Sequence, residues 1–187
     1  MKVAISGAHS QGKTTLLNAL KESGLLNDFE FKTSLTRGLQ EAGFNINEDG
    51  DEVTQVTIMA KHLQRLNEKG NIVYDRCALD GYAYSMALVK DLKVLGAIRE
   101  LFYAMIDRYD IIFYVEPELP LVEDGQRTVN RDFFESVVQS FQAIIQSYKV
   151  PVIRISGSVE DRVLQVLNTI ERRETQKYEY NNEPYEL

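Results

Sequence analysis

Apolar residues along this chain fall into two alternating rhythms. Short, nearly continuous runs read as strands: Val3-Ala4-Ile5, Phe29 to Lys32, Ile72-Val73-Tyr74, Ile111 to Val115 and Val150 to Ile155. Between them, apolar positions recur at the spacing of three and four that marks one face of a helix. That spacing predicts helices over Thr14–Lys21, from Val53 (Val56, Met59, Ala60, Leu63, Leu66), over Ala78–Val89 and over Asp91–Asp107. Two more follow, one carrying Phe134, Val137, Val138, Phe141, Ile144 and Ile145, and one over Val159–Arg172. Gly24 and Gly70 are stop signals, and Gly43 to Asp51 and Glu116 to Arg131 are loops. Pro151 is tolerable only at the start of its strand.

Strands alternating with helices imply an α/β domain on a mainly parallel sheet. The unbroken run Ile111 to Val115 suits a strand covered on both faces. No repeat or linker divides the chain, so residues 1–172 form one expected domain and residues 173–187 a polar tail, mobile or docked on the surface. With 187 residues there is enough chain for a substantial core. The single cysteine, Cys77, excludes an internal disulfide and fits a reducing compartment. No membrane-length apolar run or signal peptide is present, so a cytoplasmic location is expected. A net charge of −7 without a basic block disfavours a dedicated duplex binder.

The chemistry enters at Gly7-Ala8-His9-Ser10-Gln11-Gly12-Lys13-Thr14, which fits Gly-x-x-x-x-Gly-Lys-[Ser/Thr] between the first strand and the first helix. Gly7 and Gly12 permit the tight turn, and the amides from Ser10 to Thr15 point at a phosphate. Lys13 reaches the β- and γ-phosphates, and the Thr14 hydroxyl completes the shell of a Mg²⁺ ion. ATP with Mg²⁺ is the expected ligand. His9 occupies a variable position of the motif. His62 is expected on the polar face of its helix, and the widely spaced histidines and cysteine make no zinc site.

In open parallel sheets ligands sit beyond the carboxyl ends of the strands. The third strand delivers Asp75, a candidate for holding the metal or accepting a proton, then Arg76 and Asp80 as candidate substrate contacts. Capping of the next helix is the plainer role for either acid. Thr33, Ser34 and Arg37 follow the second strand within reach of a second substrate. Arg127 and Arg131 could close over the transferring phosphoryl group from a mobile segment.

These features resemble the P-loop nucleoside and nucleotide kinases. The resemblance rests on Gly7 to Thr14, Ile72 to Arg76 and the arginine-bearing segment Asp124 to Arg131, and the order of elements matches from Met1 to about Arg172. The chain looks most like the compact AAA-like kinases that include the nicotinamide riboside kinase domain, and it is also similar to thymidylate kinases. The resemblance implies a five-stranded parallel core, an ATP–Mg²⁺ donor, a lid, and an acceptor site beside the second and third strands. Two departures stand out. Gly38 replaces the Glu that follows Thr-Arg in thymidylate kinases, and Thr33-Ser34 stand where several relatives carry an acid. Asp75 is therefore the better candidate base.

The expected reaction is transfer of the ATP γ-phosphate to a nucleoside or nucleoside monophosphate. DNA, phosphorylated at an end or on a hydroxymethylated base, is the alternative acceptor; Arg37, Lys61, Arg65, Arg76, Arg127 and Arg131 would have to build its cationic groove. A P-loop NTPase or nucleotide-sensing module is the third reading. Against it, Asp75 is followed by Arg76 rather than a water-activating Glu, and the GTPase signatures Asn-Lys-x-Asp and Asp-x-x-Gly are absent.

Overall fold

The computed structural model describes residues 1–121, 130–148, 150 and 152–182. Five strands, β1 (Lys2–Ser6), β2 (Phe29–Lys32), β3 (Asn71–Asp75), β4 (Ile111–Val115) and β5 (Val152–Ile155), form one sheet in the order β2-β3-β1-β4-β5. Every pairing is parallel. The helices are α1 (Lys13–Glu22), α2 (Leu35–Glu41), α3 (Glu52–Arg65), α4 (Ala78–Leu88), α5 (Leu92–Ile106), α6 (Arg131–Ser147) and α7 (Val159–Asn182), with a 3₁₀ turn at Asn47–Asp49. The expected α/β class, parallel sheet and strand count hold.

Alternation along the strands builds two cores, one on each face of the sheet. Val3, Ile5, Val73, Phe113 and Val115 face α1 and α7. Ala4, Ile72, Tyr74, Ile112 and Tyr114 face the other way, against α3, α4, α5 and α6. The central strands are buried on both faces, so each residue contributes whichever way it points. Phe113 and Phe102, one per core, are fully buried, and truncating either to Ala should cost about 3–5 kcal/mol. Gly81 lets α4 lie directly on α3: a Cβ there would stand 2.5 Å from Met59 Sδ.

Four details differ from the sequence reading. Leu35–Glu41 is a helix, opened by Ser34, whose hydroxyl accepts from Thr36 N at 3.4 Å. The buried face of α3 is turned from the expected one: Val56 and Ala60 are exposed, whereas Gln55, Ile58 and His62 are buried. His62 is thus not a polar-face residue. Finally, α7 continues past Arg172 to Asn182, so residues 173–182 of the segment read as a tail prolong the helix. The start of β5 is Val152, and Pro151 lies outside the described residues.

Candidate active site

The P-loop emerges from β1 at the centre of the sheet, between the ends of β3 and β4. Its backbone needs glycine twice. Gly7 has φ +139°, and a Cβ there would meet the Val115 carbonyl at 2.8 Å; Gly12, with φ +77°, forms the N-cap of α1. Ser10 also takes a positive φ of 61°, and its hydroxyl is buried without a hydrogen-bond partner among the described residues. Side chains open most neighbouring helices: Asp51 accepts from Thr54 N, Asp91 from Lys93 N, and Asn130 from Phe133 N. By contrast, α1 has no side-chain cap and no acid in its first turn. Its first N–H groups and the positive end of its dipole are presented to whatever the loop encloses.

Beside this loop, Asp75 closes β3 in register with Ile5 of β1. It is buried, and the Thr14 hydroxyl lies 3.4 Å from its Oδ2. Lys13 is buried, its ammonium donating to the Ala8 carbonyl inside the loop. These groups line one side of a polar chamber of about 110 Å³, together with Ser10, Gln11 and Gly12. Arg37 and Arg76 stand on the opposite wall, with Ser34, Thr36 and Asn47. Thr15 is exposed on α1 and does not line this chamber. Arg131 is exposed at the start of α6, and Arg127 lies outside the described residues.

Sharing Ser34, Thr36, Asn47 and Arg76, a smaller chamber of about 30 Å³ continues between α2, α3 and α4. Ile46 also lines both, and the smaller chamber adds Leu35, Ile58 and Tyr84, with Gln55 and His62 from α3. Arg76 divides the two spaces. It adopts φ +73°, a left-handed conformation costly for a side chain with a Cβ, which swings the guanidinium back over α4. There it lies 3.4 Å from Asp80 Oδ1 and 5.3 Å from the centre of the Tyr84 ring. Burial opposes its charge, but Tyr84, Asp80 and Asp75 outweigh burial and hold the guanidinium firmly protonated.

Asp80 takes the cap position foreseen as its plainer role. Its Oδ2 accepts from Cys77 N at 3.0 Å, and its Oδ1 accepts from Gly7 N at 3.3 Å as well as meeting Arg76. One carboxylate thus ties the P-loop, the end of β3 and the start of α4. Cys77 is fully buried, and burial pushes its thiol well above the ordinary range. His9 faces away from the chamber. Its amide donates to Tyr84 Oη at 3.0 Å, its Nδ1 lies 3.0 Å from the same oxygen, and its ring stacks on Phe133.

A second anchor of the P-loop comes from α7. Arg162 is 3 % exposed; its Nη1 donates to the Gln11 carbonyl at 2.8 Å, and its Nη2 donates to Glu118 at 3.3 Å. The Gln11 side chain adds a reciprocal pair with Leu119, donating to its carbonyl at 2.9 Å and accepting its N–H at 2.8 Å. A signal for Arg162 was present, because it falls on the apolar stripe Val159, Val163, Val166, Ile170. Gln55 and His62 likewise interrupt the stripe around Ile58, Met59 and Leu66.

The donor set fits a magnesium ion. No cluster of three or more His, Cys, Asp or Glu builds a cation cage among the described residues. Mg²⁺ uses one or two carboxylates and completes its shell with phosphates and water, and Thr14 with Asp75 supply that kind of partial site.

Residues 2–162 match the model of the AAA domain family. The chain belongs to that family. This AAA domain shares its fold with solved kinases. The NadR protein in complex with NR superposes with a TM-score of 0.72 at 17% identity, covering 91% of this chain and 50% of that one. Deoxyadenosine kinase from M. mycoides gives 0.66 at 15% identity, covering 92% of this chain and 99% of the other. Thymidylate kinase from Candida albicans gives 0.63 at 16% identity, covering 92% and 91%. The AAA domain thus spans about half the length of NadR and nearly the whole of the two kinases. No curated protein matches the sequence. Among the described residues, no helix is long and apolar enough to cross a membrane.

Proposed function

We propose that this protein is a P-loop phosphotransferase that moves the γ-phosphate of ATP to a hydroxyl or phosphate of a nucleoside or nucleoside monophosphate. The observation that carries the reading is a pair of adjoining chambers, one lined by Lys13, Thr14 and Asp75 and the other beneath α2 and α3, with Ser34, Thr36, Ile46, Asn47 and Arg76 lining both. A hydrolase needs only the first chamber; a second, contiguous one beyond Asp75 is what an acceptor requires. The fold shared with deoxyadenosine kinase and thymidylate kinase supports the same reading.

In this mechanism the loop amides and the N-terminus of α1 bind the β- and γ-phosphates, and Lys13 leaves the Ala8 carbonyl to bridge them. Thr14 and Asp75 would hold Mg²⁺ beside the bound nucleotide, and the ion would supply charge neutralisation at the phosphates. For a hydroxyl acceptor, Asp75 orients the nucleophile and takes its proton as the new O–P bond forms, and the bond to the ADP oxygen breaks. Arg37 and Arg76 face the space where the acceptor meets the phosphoryl group. Arg131, and Arg127 on the preceding segment, are assigned to charge neutralisation from outside. Positioning and charge stabilisation supply the catalysis.

DNA as acceptor has less support. Arg65 is committed to the Thr33 carbonyl at 2.8 Å and Arg76 to Asp80, so two of the cations needed for a groove are engaged inside the fold. The test is incubation with ATP labelled at the γ-phosphate and a panel of nucleosides, nucleoside monophosphates, nicotinamide riboside, and DNA with and without hydroxymethylated bases. Label on a small molecule is the expected result. Label on DNA transfers the assignment to the polymer, and free phosphate alone refutes transfer.

A further inference from the structure

What holds Arg76 in its left-handed conformation also holds the P-loop. Asp80 and Tyr84 stand four positions apart on α4, about one helical turn, so both reach toward the loop from the same face. Each offers one oxygen to two donors. Oδ1 of Asp80 accepts from Gly7 N at 3.3 Å and from Arg76 Nη1 at 3.4 Å. Oη of Tyr84 accepts from His9 N at 3.0 Å and also from Arg76, whose guanidinium lies 5.3 Å from the ring centre. Asp80 is 2 % exposed and Tyr84 9 %, so water does not compete for these oxygens.

The bonding capacity of the phenol is fully used. A tyrosine hydroxyl has two acceptor lone pairs and one hydrogen. With His9 N and Arg76 on the lone pairs, the hydrogen is left for His9 Nδ1, 3.0 Å away. The ring itself packs edge-on against Phe133 and Phe141. Core packing accounts for that ring, but not for a hydroxyl spent on the loop and on a cation. The backbone of Arg76 adds a second observation. Its φ of +73° is the kind of strain that persists only where the surroundings over-determine a residue. Arg76 lines the outer chamber with Lys13, and it cannot swing away without releasing the oxygens that hold Gly7 and His9.

We infer that Asp80 and Tyr84 are positioning residues, two arms of α4 that each grip a P-loop amide and Arg76, making this guanidinium a fixed second cation of the phosphate cradle beside Lys13. Its part in phosphoryl transfer rests on the kinase reading; its coupling to the loop does not, and can be measured without turnover.

Full-length protein is titrated calorimetrically with a non-hydrolysable ATP analogue and Mg²⁺. Wild type, Tyr84→Phe, Arg76→Lys and the double variant form one cycle, and Asp80→Asn replaces Tyr84→Phe in a second. Tyr84→Phe keeps the ring and removes only the hydroxyl. Arg76→Lys should weaken the analogue about fivefold or more on its own, and less than about twofold once either arm has been altered. Nitrogen-15 spectra of histidine-labelled protein, which has two histidines, give a readout that a merely structural role would not move. The His9 ring proton should sit on Nε2 in the wild type and redistribute between the two nitrogens in Tyr84→Phe. Losses that multiply in either cycle overturn the inference, as does a wild-type His9 carrying its proton on Nδ1. Should one arm's variant fail to fold, the other cycle decides. Coupled losses with no acceptor ever labelled sustain the inference and sink the kinase reading. A labelled acceptor with independent losses does the reverse.

Discussion

The two halves of the cleft are built on opposite principles. On the donor side, polar groups of the P-loop are tied to the fold. Gln11 is clamped to Leu119 through both ends of its amide, its carbonyl is held by Arg162, and His9 is fastened to Tyr84. On the other side, Gln55 and His62 are equally buried, yet the His62 ring has no hydrogen bond among the described residues and the Gln55 amide has one long contact. A buried polar group without a partner costs about 1–3 kcal/mol. Around the P-loop the fold satisfies most of that demand, with the buried Ser10 hydroxyl an exception, and at Gln55 and His62 it satisfies less. A rigid cradle would suit the proposed triphosphate, the same chemical group in every turnover; discrimination between acceptors would come from groups that a correct ligand satisfies and a wrong one leaves stranded.

The largest effect should come from the donor side. Lys13→Ala removes the charge proposed to bridge the phosphates and should lower the transfer rate at least about a thousandfold, with circular dichroism unchanged. Full activity in that variant would remove the phosphotransferase assignment altogether. Next comes Asp75→Asn, which keeps the shape at the junction of the two halves. It should cost about a hundredfold or more in kcat and much less in ATP affinity, measured by single-turnover kinetics and equilibrium binding. Weakened ATP binding with an intact kcat would place Asp75 in a different role.

Smaller effects separate the clamped half from the open one. Arg162→Met deprives the Gln11 carbonyl of a charged donor under the loop and releases half-exposed Glu118. Denaturant melts should show a loss of about 2 kcal/mol, accompanied by weaker ATP binding. The pH dependence of stability tests His62. Its folded pKa lies near 3 against 6.5 for the free side chain, so between those values the unfolded chain binds more protons. Its contribution to stability is complete above pH 6.5 and falls as pH drops toward 3, by at most about 1.4 kcal/mol per pH unit. The difference in stability between wild type and His62→Gln should therefore shift in favour of the variant as pH falls. A difference independent of pH would mean that His62 titrates normally.

How much of this was legible in the sequence depends on whether the information is local. The strands and most helices announce themselves by period, and the P-loop by a contiguous motif whose conformation its own glycines dictate. Leu35–Glu41 was passed over because only Leu35 and Leu39 mark its apolar side and Gly38 interrupts it. The end of α7 was misjudged for the opposite reason: beyond Arg172 the apolar period stops, but helix-forming Glu, Gln and Lys carry the helix on to Asn182. The face of α3 was mis-set because Val56 and Ala60 were weighted by polarity, whereas the helix turns Gln55 and His62 inward toward α2 and α4. Arg162 acts on Gln11, 151 positions away in sequence, and no periodicity carries such a pairing. What could have been noticed is that all three polar residues break an apolar stripe. A polar residue at such a place is either satisfied by the fold, as Arg162 largely is, or turned toward a cavity, as the two on α3 are.

The most direct test of the contrast is a pair of kinetic measurements on one acceptor. KM for ATP and KM for the nucleoside are determined for Arg162→Met and for His62→Leu under identical conditions. The account predicts a crossed pattern: Arg162→Met raises KM for ATP severalfold and leaves the nucleoside unaffected, while His62→Leu raises KM for the nucleoside about tenfold and leaves ATP unaffected. If both variants move both constants together, the two halves are not separate and the account is wrong.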